Sequence, residues 1–388
     1  MPPPTLLPAR LASLDQYRGY TVLGMFLVNF VGSFAAVKQL APLLCHHHTY
    51  LSYADTIMPQ FFLAVGFAYR MTYLRRYERG GARAAYGHAL KRIAGLLLVA
   101  FLVHRLDGRY ESWAALTEQG PLAMMTSAFQ RNFFQTLTHI ALTSLWVLPV
   151  IGGGAIRRIL FAVGSAGLFH AVSHYGYYDW VLALPGIDGG PLGFLTWTIP
   201  LLVGSLAYDA MVHHADPLTA REDGTPPNLL DAASKMIFWA VFLMLLGYGL
   251  SCLNRATPPN AFSAAEGWKA LLVEPPFVPP SEPVNIWTMS QRAGSVSYLT
   301  FAAGLALGLY GLFVVACDVW PLSVGLFRTL GTNALAGYIL HILVAQAMKP
   351  FVPGDSPLWY VAAALAVFLT ICYTLVRYLE KHRLFLKL

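Results

Sequence analysis

Charge thins out of this chain in ten apolar stretches, each about as long as a helix that crosses a bilayer. They are residues 20–37, 56–74, 90–106, 133–151, 158–172, 192–208, 236–253, 295–316, 330–348 and 358–378. A helix needs roughly 20 apolar residues to span about 30 Å of hydrocarbon. Lipid offers the backbone no hydrogen-bond partners, so such runs must satisfy their own amides as helices. The expected fold is therefore all-α, a polytopic integral membrane protein with about ten transmembrane helices in one bundle. Only 12% of the 388 residues are charged, against about a quarter in soluble domains. The third and fifth runs are the weakest, and 121–129 reads as interfacial or re-entrant. Pro59 falls in the first turn of the second run, where proline is tolerated.

The formal charge of +7 has no basic stripe with interleaved aromatics, so nucleic acid is excluded as a partner. Arg and Lys instead alternate between loops. One set of loops, with Arg10, Arg18, Arg75, Arg76, Arg79, Arg83, Lys91, Arg92, Arg157, Arg158, Arg221, Lys235, Arg328, Arg377, Lys381, Arg383 and Lys387, outweighs the other, with Arg105, Arg109, Arg131, Arg255, Lys269, Arg292 and Lys349. The positive-inside rule then puts both termini in the cytoplasm, in an inner or cell membrane. Residues 1–16 have no apolar core or small-residue cleavage site, so the first run reads as a retained helix. Cys45, Cys252, Cys317 and Cys372 are scattered and suggest neither a disulfide scaffold nor a CxxC site. The whole of 1–388 reads as one transmembrane domain. Loop 254–293 is proline-rich and extracytoplasmic, stiff rather than helical; loop 209–231 is cytoplasmic.

Ionisable and amide side chains inside lipid are costly and mark sites or helix contacts. Here they are Asn29, Asp55, Arg70, His139, His170, Asn333 and His341. Arg70 is expected to snorkel to the cytoplasmic interface. His170 reads as an interfacial anchor or a site residue. Asn333 and His341 are eight residues apart, so they share a helix face and either line one cavity at two depths or make interhelical hydrogen bonds. The densest cluster is LCHHHTYLSYAD, residues 44–55. Three adjacent histidines converge poorly on one ion. They read as a solvated loop or as a catalytic imidazole with its neighbours, and residue type leaves open which of His46, His47 and His48 acts. Asp55 could orient that imidazole or cap its own helix.

Five motifs, in order, carry a resemblance. RLASLDQYRGYTVLGMFLVNF supplies Arg10, Ser13, Asp15, Arg18, Gly19, Val28 and Asn29; HHHTYLSYADTIMP supplies Leu51, Ala54, Asp55 and Pro59. IDGGPLGFLTWTIP, PVNIWTMS and LGTNALAGYILH follow, the last with Gly331, Asn333, Tyr338 and His341. Together they resemble the membrane domain of heparan-alpha-glucosaminide N-acetyltransferases and their bacterial relatives. The resemblance implies transfer of an acetyl group from cytosolic acetyl-CoA to a glucosamine amine across the membrane, with an asparagine and a histidine as the catalytic pair. Asn29 matches that asparagine. The histidine falls on Cys45 without a gap and on His46 with one missing residue. The family's tryptophan and glycine in this block are absent.

The implied site has His46, Asn29 and Asp55 as catalytic residues, His48 as the alternative base, and no metal. Arg18, Arg75, Arg76 and Arg92 would hold the polyanionic end of acetyl-CoA at the cytoplasmic mouth, with Asn333 and His341 deeper along the donor. Expected partners are acetyl-CoA or CoA, an extracytoplasmic amino-sugar or glycan acceptor and membrane lipid, with a homodimer left open. Three alternatives stand: an O-acyltransferase on the same fold, a small-solute transporter or permease, and a sensor that has lost catalysis. No inverted repeat supports the transporter.

Overall fold

The structure is a computed structural model that describes residues 11–104, 112–114, 117–118, 120, 133–183, 188–215, 228–256 and 272–386. The stretch 121–129 and Arg10, Arg105, Arg109, Arg131, Arg221, Lys269 and Lys387 lie outside them. The described residues are helical, with no strand among them. The long helices are α1 Ala12–Val31, α2 Tyr53–His104, α3 Thr136–Ile151, α4 Ala155–Val172, α5 Phe194–Ala215, α6 Leu229–Cys252, α7 Val296–Val314, α8 Gly325–Thr332, α9 Ala334–Met348 and α10 Leu358–Lys381. Seven segments among the described residues are long and apolar enough to cross a membrane, and Thr136–Ile151 is a shorter apolar helix.

The ten apolar runs are mostly helical where described, but three boundaries differ from expectation. The first run outlasts α1, which ends at Val31 before a turn at 32–34 and a short helix Ala35–Leu40. The second and third runs form two helical segments joined end to end as α2, broken at Gly80 and Gly81; Gly81 has φ 67°, a left-handed conformation that glycine adopts without a Cβ penalty. The ninth run is split, because Asn333 at φ −133° separates α8 from α9.

Helices α5 and α7 are the most buried spans. Around them, Phe62, Trp197 and Tyr298 form the centre of one cluster, and Tyr17, Phe67 and Tyr310 that of another. A third joins Phe26 and Phe30 of α1 to Phe368 of α10. The outer faces of α4, α6 and α10 expose Leu160, Phe238, Trp239, Leu245, Trp359 and Val367, as a lipid-facing belt should.

Three helix crossings share one device. Gly66 of α2 lies on the backbone of Leu201 while Gly204 of α5 lies on that of Leu63. Gly247 of α6 lies on Phe301 while Gly304 of α7 lies on Ala240 and Met244. Gly19 of α1 lies on Phe327 while Gly331 of α8 lies on Asp15. In each pair, either glycine rests on the residue three or four positions before its partner, and Gly304 also on Ala240 one turn further back. Reciprocal small residues let two backbones approach closely, which is how helices gain packing where lipid removes the hydrophobic drive. A Cβ at Gly66 or Gly204 would run into a main-chain carbonyl. Gly204→Ala is therefore expected to destabilise the fold by about 1–3 kcal/mol, read as a lowered thermal midpoint in detergent. Gly249→Ala, whose Cβ would meet nothing within 4 Å, is expected to be neutral or slightly stabilising.

Helix direction sorts the loops to two ends. The C-terminus of α1, the start of α2, and the loops before α5 and α7 meet at one end, with the histidines. At the other lie the N-terminus of α1, the Gly80–Gly81 break and residues 384–386. There Asp318 accepts from the backbone N–H of Ser13 (3.2 Å) in the first turn of α1, where an anion offsets the helix dipole. Arg70 does not snorkel to the interface. It is buried, donating from Nε and a terminal nitrogen to Asp209 (3.0 and 3.3 Å) and to the Ile151 carbonyl at the end of α3 (2.5 Å). Arg158, expected among the cytoplasmic loop cations, is instead fully buried on the same Asp209 and donates to Ser205 Oγ at 2.8 Å.

Candidate active site

The start of α2 explains why Asp55 is available to an imidazole. Ser52 is the N-cap and Asp55 the third helical residue. Ser52 Oγ accepts from the Asp55 N–H (3.3 Å), and Asp55 Oδ2 accepts from the Ser52 N–H and its hydroxyl (2.9 Å each). This reciprocal capping box satisfies two of the free donors at a helix start. It also uses only one carboxylate oxygen. The other, Oδ1, holds His46 Nδ1 at 2.8 Å. Asp55 is fully buried, while the His46 side chain is 37% exposed. A solvent-reaching ring is thus tethered to a buried carboxylate. Capping and holding the imidazole, which residue type allowed together, coexist on the two oxygens of one side chain.

The three histidines separate by environment. His46 meets Asp55. His47 uses Nε2 on the Pro42 carbonyl (2.8 Å) and stacks on Tyr50 at 4.3 Å. His48 has its carbonyl held by Ser290 Oγ (2.7 Å), and burial together with Arg292 lowers its pKa. For His46, burial opposes the charged form, but the hydrogen bond and charge of Asp55, then Asp188 and Gln291, prevail and raise its pKa. Cys45 is buried in the α1–α10 cluster, and burial pushes its thiol up.

Gly32, one turn beyond Asn29, lies against Leu44 and Cys45, so Asn29 is at the histidine end of α1. Its amide Nδ2 is 3.1 Å from His341 Nε2, and His341 stacks on Phe26 at 5.6 Å. An amide has two N–H donors, so one remains free of His341. His341 therefore sits behind Asn29. Asn333 does not join it: its side chain donates to the Leu384 carbonyl (2.9 Å) and accepts from the Leu386 N–H (3.2 Å). The two residues are at different depths, but Asn333 anchors the C-terminal segment.

Arg18, Arg75 and Arg92 are half-buried and Arg76 is exposed, all toward the end opposite the histidines. Arg92 acts electrostatically on Arg18 and Tyr69, Arg76 on His88, and Arg75 on Tyr208. His139 is buried beside Trp197 (6.3 Å) with neither ring nitrogen bonded. His170 packs on Trp287 at 4.1 Å. No group of three His, Cys, Asp or Glu fit to hold a metal occurs among the described residues.

Two residues near His46 were not among the sequence candidates. Asp188 is fully buried, at φ 68°, between α4 and α5. Its carbonyl accepts from Trp197 Nε1 (2.9 Å), and its Oδ1 accepts from Gln291 Nε2 (3.1 Å). Burial is the main cause that raises its pKa, to about 7. Gln291, 3% exposed, is set by a pinned loop. Asn285 Oδ1 accepts from the Trp287 N–H (2.9 Å), and Asn254 Nδ2 donates to the Pro283 carbonyl (3.2 Å). The motif IDGGPLG contained Asp188, but nothing in the local sequence says that it meets a loop a hundred residues later.

Residues 10–187 match the family model described as heparan-alpha-glucosaminide N-acetyltransferase, catalytic. The match covers Asn29, the histidines and Asp55, and stops one residue before Asp188. That family carries out transmembrane N-acetyl transfer. A comparison with the curated proteins finds no match to this chain.

Proposed function

We propose that this chain, which is heparan-alpha-glucosaminide N-acetyltransferase-like over residues 10–187, moves an acetyl group from cytosolic acetyl-CoA to an extracytoplasmic acceptor, an amino sugar or glycan. The observation that carries the reading is the His46–Asp55 pair at the end of the bundle opposite Arg18, Arg75, Arg76 and Arg92. Acetyl-CoA is a polyanion whose nucleotide cannot enter lipid. Its phosphates belong at the arginine end, its slender pantetheine arm between helices, and its thioester near Asn29.

The chemistry then follows from the residues. Asp55 Oδ1 takes the Nδ1–H of His46, leaving Nε2 with a lone pair to receive the acceptor's proton. The acceptor nitrogen bonds to the acetyl carbon, the carbon–sulfur bond breaks, and the electron pair leaves on the CoA thiolate. Negative charge on the carbonyl oxygen would be met by the second N–H of Asn29, a contact worth roughly 3 kcal/mol in comparable sites. His341, bonded to the first N–H, would aim that amide and not touch the donor.

Isothermal titration tests the donor half directly. The purified protein is expected to give heat with acetyl-CoA and with CoA, and to release free CoA slowly without acceptor. An absence of heat with both ligands would remove the reading.

A further inference from the structure

The histidine end of the bundle holds a pocket. Thr49, Tyr50 and Leu51 wall it on one side, and Glu274, Pro276 and Val278 of the proline-rich loop on the other. It offers about 410 Å³ of space, open solvent at its mouth included, in the range of small-molecule sites. The chain keeps this pocket near the imidazole. The His46–Asp55 hydrogen bond closes residues 46–55 into a loop, and residues 49–51 belong to it. Consecutive Cα atoms are about 3.8 Å apart, so the Cα of Thr49 lies no more than about 11 Å from that of His46. A disaccharide spans that gap.

The walls are fixed before any ligand arrives. Tyr248 of α6 donates to the Val273 carbonyl at 2.7 Å. Asn254 Nδ2 donates to Thr288 Oγ1 at 3.4 Å as well as to the Pro283 carbonyl, and Asn285 Nδ2 donates back to the Asn254 carbonyl at 3.3 Å. Ser290 ties the same loop to the His48 carbonyl. Proline rings lock φ at Pro275, Pro276 and Pro280. A pre-organised wall loses little entropy when it binds.

The pocket is also one-sided in charge. Glu274 is the one charged residue among those that line it. The Ser281 hydroxyl donates to Glu274 Oε1 and holds the carboxyl below its usual range, so it is ionised at neutral pH. Glu274 Oε2 has no hydrogen-bond partner. Arg255 stands 3.9 Å from Glu274 but also 3.8 Å from Glu282, one cation for two acids. Much of the remaining wall is apolar: the prolines, Val278, and Tyr50, whose ring stacks on His47. Apolar walls with a single carboxylate suit the C–H face of a sugar that carries hydroxyls or an ammonium. They disfavour a sulfate or a uronate.

We propose that this pocket holds the sugar unit next to the reacting one, and that Glu274 selects an uncharged or amine-bearing glycan over an anionic one. This rests on the reading of the chain as an acetyltransferase whose glycan acceptor reacts at His46. The amine that attacks the thioester must be neutral, whereas a neighbouring unit keeps its ammonium and gains by facing the carboxylate. A sulfate or uronate in the same place meets a like charge, and that repulsion is how a site rejects a wrong partner. A glycan that is anionic along its length is therefore a poor acceptor for this chain.

The test uses the full chain in detergent, with acetyl-CoA as donor and thiol release as the readout. Three acceptor probes are compared: glucosamine, a β-linked glucosamine disaccharide, and a disaccharide of a uronic acid and glucosamine. The wild type is expected to prefer the glucosamine disaccharide over the uronate one on the order of 10-fold in kcat/KM. Glu274→Gln should bring the two close to parity, and Glu274→Lys should reverse the order. Val278→Trp keeps its backbone bond to the Pro275 carbonyl and fills the pocket. It should bring kcat/KM for the glucosamine disaccharide down to that for glucosamine. Heat with CoA, whose proposed site is at the other end of the bundle, reports that each variant is folded. The wild-type comparison stands even where a variant does not fold. Equal kcat/KM for the two disaccharides in the wild type, or a preference unchanged in both Glu274→Lys and Val278→Trp, would overturn the proposal and leave the acetyltransferase reading in place. Failure of that reading looks different: wild-type protein that releases no thiol with any of the three probes and gives no heat with acetyl-CoA.

Discussion

His46→Ala is expected to lower acetyl transfer at least about 100-fold while leaving donor affinity within about twofold. The split follows from where the groups lie. The imidazole meets the acceptor's proton only in the transition state, whereas the donor's phosphates would bind at the other end of the bundle. A loss confined to kcat is the signature of an interaction absent from the ground state. Asp55→Asn should fall between His46→Ala and wild type. It keeps a capping side chain for Ser52 but offers the imidazole a neutral partner. His48→Ala should stay within a few-fold of wild type, since His48 contributes its backbone carbonyl to Ser290, and alanine keeps that. Turnover measured as CoA release, alongside titration with CoA, separates these outcomes. Inactive His48→Ala beside active His46→Ala would move the base two residues along the loop.

The second large effect is on stability. Asp209→Ala should cost about 3 kcal/mol or more, seen as a lower thermal midpoint and a smaller folded fraction after extraction. Its carboxylate serves Arg70 and Arg158 together. Removing it leaves two guanidiniums, one fully buried, with no counter-charge. The Asp209 side chain is 33% exposed, so water takes up part of the loss and the figure belongs at the lower end for broken buried pairs. Replacing all three together, Arg70→Met, Arg158→Met and Asp209→Leu, should recover much of the loss, because the penalty comes from unpaired charge and not from missing volume. Thermal midpoints in the wild-type range for Asp209→Ala would mean that the network contributes nothing to the fold.

Much of the site was legible because its signals are local. Helix 56–74 and the carboxylate at its mouth could be read together, since a capping serine, an acid three residues on and an apolar run form one continuous pattern. Which of Cys45 and His46 meets Asp55 could not. Cys45 and His46 are neighbours in sequence, and only the turn after Pro42–Leu44 sends the thiol into the α1 core and the next ring to Asp55. Arg70 was misread for a similar reason. Its helix position fits a snorkelling cation, but its partner sits in α5, 139 residues away. Asn333 and His341 share a stretch of sequence that looked like one helix face. A break at Asn333 gave its amide to residues 384 and 386 instead.

What the sequence by itself determined is the solvent: with charge sparse over ten apolar stretches about long enough to cross a bilayer, the backbone must close its own hydrogen bonds as helices. Glycines and polar residues then had to find neighbours, and the linear order does not name them. The tertiary structure decided which glycines meet across helices, that Asp209 serves two arginines, and that the loops carrying His48, Asp188 and Ser290–Gln291 meet. Helical pattern is set by contacts a few residues apart, whereas a site is set by contacts hundreds of residues apart.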